Sequence, residues 1–115
     1  MYNEPLTFEV VPGSTADVRI FRLHGPITLA NLFDFQKALN AGTETVTIVD
    51  FTESEYMDSA GLGTLLNYYV SAKRRGRFLR LVAVNYRVAE LLKLTSAHTL
   101  IKTYDNIAAA EAATS

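Results

Sequence analysis

Along the first twenty-odd residues, apolar and polar positions alternate with a period of two. Leu6, Phe8 and Val10 share one face of a short extended run that Pro12-Gly13 stops. Val18, Ile20, Phe21 and Leu23, set among Arg19 and Arg22, make a second run over Asp17 to Leu23. The turn-forming Pro12-Gly13-Ser14 between them predicts a hairpin. After Gly25-Pro26 the period lengthens. Leu29, Leu32, Phe33, Phe35 and Leu39 recur at roughly helical spacing until Asn40-Ala41-Gly42 ends the pattern. Val46 to Phe51 reads as a buried strand. Leu62, Leu65, Leu66 and Tyr69, with Val70 alongside, mark a second helix. Gly76 stops it behind Lys73-Arg74-Arg75, cations that suit the negative end of a helix dipole. Phe78 to Val84 predicts a strand, Val88, Leu91, Leu92 and Thr95 a helix, and Leu100 to Tyr104 a short strand. From Asn106 the alanine-rich end, through Ser115, reads as a last helix that frays.

The order β-β-α-β-α-β-α-β-α places the chain in the α/β class. The expectation is one domain over residues 1–115: a mostly parallel mixed sheet of about five strands, an N-terminal hairpin and about four helices. In such folds, ligand and partner sites gather at the C-terminal ends of the strands. No internal repeat, linker or composition break divides the chain.

Composition narrows the chemistry. The chain has 115 residues, 49% hydrophobic and 20% charged, the balance of a soluble domain with a core of its own. It contains no cysteine, which excludes disulfides, thiol catalysis and cysteine-based metal centres and suits a cytoplasmic setting. A net charge of −1 supplies no global field for nucleic acid. No apolar run approaches the roughly 18–20 residues of a membrane span. Met1-Tyr2-Asn3-Glu4-Pro5 lacks the basic start and apolar stretch of a leader.

The informative segment is Asp58-Ser59-Ala60-Gly61-Leu62-Gly63, at a loop-to-helix junction. Asp58 or Ser59 could cap the helix, since either side chain can accept from its free N–H groups. Two glycines in the opening turns are costly, each by about 1 kcal/mol relative to alanine. Tight packing of the helix on the sheet would offset that, and so would close approach of a partner. Leu62 points either into the core or into a partner groove. On the plain reading Ser59 is a cap and the glycines serve packing; on the sharper one Ser59 is an exposed, modifiable hydroxyl on a docking surface.

The run Phe51 to Gly63, above all Met57-Asp58-Ser59-Ala60-Gly61-Leu62-Gly63, resembles the signature of STAS domains (sulphate transporter and anti-sigma factor antagonist). It is most similar to the bacterial anti-sigma factor antagonist branch, and the resemblance covers nearly the whole chain. It implies a non-enzymatic regulator of transcription without a cofactor. In that family the serine after the aspartate is phosphorylated, which corresponds to Ser59. Unmodified, such a domain binds an anti-sigma factor that is usually also a serine kinase; phosphorylation releases it and a phosphatase restores it. Met57, Asp58, Gly61, Leu62 and Gly63, with the Pro26-Ile27-Thr28 loop nearby, would then form the partner-binding surface. A second serine is common in the family where this chain has Ala60. An acidic residue is frequent near Thr28, and Leu29-Ala30-Asn31-Leu32 faintly resembles transporter-type members. The alternatives are a STAS interaction subunit of a signalling or transport complex that is never phosphorylated, and a small enzyme.

The remaining candidates carry less. Lys73, Arg74, Arg75, Arg77 and Arg80 read as solvated cations at a helix end rather than a nucleic-acid face. His24 and His98 have no partners at metal-ligand spacing, and His24 lies near the expected partner face. Glu53, Glu55 and Asp58 read as a solvated acidic loop, and no G-x-S-x-G elbow supports a catalytic triad with Ser59. Tyr68, Tyr69, Tyr86 and Tyr104 are expected to pack partly buried.

Overall fold

Five strands and four helices follow the predicted order in a computed structural model, in which residues 4–114 are described. Met1 to Asn3, on which the judgement about a leader rested, and Ser115 lie outside the described residues. Strands β1 (Thr7–Pro12) and β2 (Val18–His24) pair antiparallel as the expected hairpin. Strands β3 (Val46–Glu53), β4 (Phe78–Val82) and β5 (Lys102–Tyr104) extend the sheet in parallel, in the order β1-β2-β3-β4-β5. The helices are α1 (Phe33–Ala41), α2 (Ser59–Arg74), α3 (Tyr86–Leu94) and α4 (Ile107–Ala112). A short 3-10 turn, Ala97–Thr99, lies between α3 and β5.

The alternation of side chains divides the sheet into two faces. Phe21, Leu23, Val49, Phe51, Leu79 and Leu81 meet Phe35 and Leu39 of α1, Leu62 and Leu65 of α2, and Val88 and Leu92 of α3 in the main core. Phe8, Phe21 and Phe35 pack with ring centroids 5.6–5.8 Å apart. On the other face Ile20, Ile48 and Val82 lie under Ala110 of α4.

Two arginines are buried, and for Arg80 this overturns the expected solvated cation. Arg80 is buried and donates to the carbonyl of Ala110 at 2.9 Å, satisfying an end carbonyl of α4. Arg19 is buried on the other face. Its guanidinium donates to the carbonyls of Ala38 and Leu39, to Thr47 Oγ1 and to Tyr68 Oη, closing the C-terminal end of α1. The predicted helix over Leu29–Leu39 begins only at Phe33. Leu32, Phe35 and Leu39 face the core, while Leu29 and Phe33 are 77% and 71% exposed. Of the tyrosines, Tyr68 is buried, but Tyr86 is 80% exposed rather than packed.

Candidate functional site

The β2–α1 and β3–α2 loops leave the C-terminal ends of neighbouring strands and are laced together by backbone bonds. Ile27 and Met57 form an isolated parallel bridge. Ile27 N–H donates to the Tyr56 carbonyl at 3.0 Å, and Asp58 N–H donates to the Ile27 carbonyl at 3.1 Å. The Asp58 carboxylate completes the join. Its Oδ1 accepts from Gly61 N–H at 2.9 Å, capping α2, and its Oδ2 accepts from Leu29 N–H at 3.0 Å. One side chain thus caps a helix and holds the opposite loop against it. On that loop, Asn31 Oδ1 accepts from Thr28 N–H, and its amide donates to the carbonyls of Glu4 and Pro26.

Because Asp58 is the cap, Ser59 is the first residue of α2, exposed, and its hydroxyl makes no hydrogen bond among the described residues. The plain reading, in which Ser59 serves as the cap, does not hold. The two glycines also separate. A Cβ on Gly61 would lie 2.8 Å from both the Ile27 carbonyl oxygen and Met57 Cγ, so glycine is required where the helix crosses the loop. A Cβ on Gly63 would meet nothing within 4 Å, so internal packing does not require glycine there. Gly63 follows Ser59 by one turn, and the exposed Asn67 and Val70 continue the same helical face.

The expected surface residues fall into two groups. Ser59 is exposed, and Asp58 and Gly63 are half-buried. Pro26, Ile27, Thr28, Met57, Gly61 and Leu62 are buried; Leu62 points into the core, so these positions can shape the surface only from beneath. Exposed apolar area comes instead from Leu29, tethered to Asp58 through its N–H, and from Phe33 one turn further on. The helical spacing of Leu29, Leu32, Phe33, Phe35 and Leu39 does not tell these two exposed residues from the three buried ones. The local clue was Thr28-Leu29-Ala30-Asn31, a turn sequence in which Asn31 can accept from the backbone.

His24 ends β2. It lies between Glu9 and Glu53 on adjacent strands, with its ring nitrogens 3.5 and 3.2 Å from their carboxylates. The bond to Glu9, then that to Glu53, raises its pKa above 6.5. Among the described residues, no group of three or more histidine, aspartate or glutamate side chains could hold a metal ion. No described helix is long and apolar enough to cross a membrane.

The STAS domain family model matches residues 10–110. The chain belongs to the STAS family. A Thermotoga maritima protein classed by name among anti-sigma factor antagonists is 34% identical over 76 residues. That match spans 66% of this chain and 66% of the relative, a little under two thirds of its length. An anti-sigma factor antagonist from Mycobacterium paratuberculosis superposes on this STAS domain with a TM-score of 0.81 at 18% identity, covering 92% of this chain and 91% of the other. SpoIIAA, a Bacillus cell fate determinant and anti-sigma factor antagonist, has been solved in two forms. The unphosphorylated form gives a TM-score of 0.74 at 17% identity, covering 91% of this chain and 94% of that one. The phosphorylated form gives 0.69 at 16% identity, covering 91% and 97%. In this STAS domain the Asp58-capped start of α2 lies inside the matched range.

Proposed function

We propose that this STAS domain is an anti-sigma factor antagonist whose contact with its partner is broken by phosphorylation of Ser59. The observation that carries the reading is the exposed Ser59 hydroxyl at the start of α2, left free by Asp58 and set beside the exposed Leu29. The docking surface is Ser59, Gly63, Leu29 and Phe33, with Asp58 at its centre. Met57, Gly61, Leu62 and the Pro26-Ile27-Thr28 loop support it from below. Gly63 leaves room for a partner to approach the helix backbone.

The partner is an anti-sigma factor with serine kinase activity. In the transfer, Ser59 Oγ forms a bond to the γ-phosphorus of ATP, the β–γ bridging bond breaks, ADP leaves, and the hydroxyl proton passes to a base on the kinase. A phosphatase hydrolyses the ester. Nucleotide and magnesium belong to the kinase. The SpoIIAA relative solved in both phosphorylation states supports a two-state reading.

A phosphate at a helix N-terminus meets free N–H groups and the positive end of the dipole, so the modified domain stays folded. The penalty falls on the interface. A group carrying about −1.5 to −2 charges, next to the Asp58 carboxylate, would have to be desolvated against an apolar partner face. The reading is tested by incubating the protein with its cognate anti-sigma kinase and ATP and measuring intact mass. Wild type should gain one phosphoryl group and Ser59→Ala none. No gain in either would overturn the switch and favour an unmodified interaction subunit.

A further inference from the structure

The opposite end of α2 carries a second feature. Lys73 follows Ser59 by about 21 Å of helix at 1.5 Å per residue. There, the last turns of α2, the start of β4 and the segment entering β5 enclose a groove of about 290 Å³. Tyr69, Leu79 and Leu100 give it an apolar lining; Lys73, Arg77 and Lys102 are the charged residues along it, and none of its lining residues is acidic. A chain of net charge −1 therefore concentrates cations at one apolar groove. Leu100 remains 46% exposed there. Lys73 Nζ stands 5.9 Å from the Tyr69 ring centre, at the outer limit of a cation–π contact. Arg77 is steadied by donating to the Gly42 carbonyl.

We propose that this groove binds an amphipathic organic anion, with an apolar tail against Tyr69, Leu79 and Leu100 and a carboxylate or phosphate head at Lys73 and Lys102. Charge complementarity selects the anion, and the apolar lining selects a tail over a bare inorganic ion. A single-stranded nucleic acid fits less well, because it needs open aromatic faces along a longer basic track.

The test is an amide NMR titration of the unmodified full chain with decanoate, with decanol and inorganic phosphate as controls. Binding with a Kd of about 0.1–1 mM is expected, with saturable shifts at Tyr69, Gly76, Leu100 and Lys102. Lys73→Glu with Lys102→Glu should weaken it by about tenfold or more while thermal stability is held. Absence of saturation, equal affinity for decanol, or an undiminished affinity in the double variant would overturn the proposal. So would phosphate alone reproducing the shifts, or a short single-stranded oligonucleotide binding the site more tightly than decanoate. No partner protein or phosphorylation enters this experiment, so its outcome is independent of the switch at Ser59.

Discussion

Replacing each glycine of the α2 N-terminus by alanine should change stability in opposite directions. At Gly63 the added methyl meets open space and removes a flexible backbone position from a helix, worth up to about 1 kcal/mol of stabilisation. At Gly61 the methyl would lie 2.8 Å from the Ile27 carbonyl oxygen and Met57 Cγ, and 2.9 Å from Ile27 Cγ2. Comfortable contacts are about 3.5–4 Å, so the helix start must move outward by roughly 0.7 Å or more. That movement strains the Asp58–Ile27 backbone bond and the Ile27–Met57 bridge. Overpacking of this kind costs about 1–3 kcal/mol, against which the same propensity gain applies, leaving a net loss of up to about 2 kcal/mol. The two variants should therefore differ by about 1–3 kcal/mol, or about 4–12 °C in Tm at this chain length. Urea unfolding followed by circular dichroism reads both. Gly61→Ala exceeding wild type, or Gly63→Ala losing stability, would refute the assignment of one glycine to packing and the other to the surface.

Asp58→Ala removes the cap and the Leu29 tether together, and should cost about 1–2 kcal/mol in urea unfolding while loosening amide exchange protection at Leu29 and Gly61. Arg19→Ala strips donors from the Ala38 and Leu39 carbonyls and should cost about 3 kcal/mol; a loss under about 1 kcal/mol would mean that water replaces the guanidinium without penalty. For His24 the folded pKa is raised, so the protonated ring stabilises the fold fully below about pH 6.5, and that contribution disappears as pH rises through the folded value. His24→Gln should flatten the dependence of the urea midpoint across this window, and an unchanged slope would count against the Glu9–His24–Glu53 cluster as its source.

Much of this architecture was readable because local signals agreed. Turn residues at Pro12-Gly13 and the change of period after Gly25-Pro26 placed the elements, and the cost of Gly61 and Gly63 drew attention to the start of α2. The errors arose where tertiary context overrode pattern. Leu29 and Phe33 share a helical period with Leu32 and Leu39, but the helix starts late because the Asp58 carboxylate holds the preceding turn out at Leu29 N–H. Arg80 read as a solvated cation and Arg19 as one residue of a strand run, and only the arrival of helix ends over the sheet gives their guanidinium groups carbonyls to bind. Which of Asp58 and Ser59 would cap α2 was open for a similar reason. A carboxylate has two oxygens and can serve two loops at once, whereas a hydroxyl cannot span both.

The central claim is most directly tested by titration calorimetry of the cognate anti-sigma factor against this domain, once unmodified and once stoichiometrically phosphorylated at Ser59. A lost interface energy of about 3–4 kcal/mol predicts binding weaker by roughly 100- to 1,000-fold for the phosphorylated form. Equal affinity of the two forms would contradict the account.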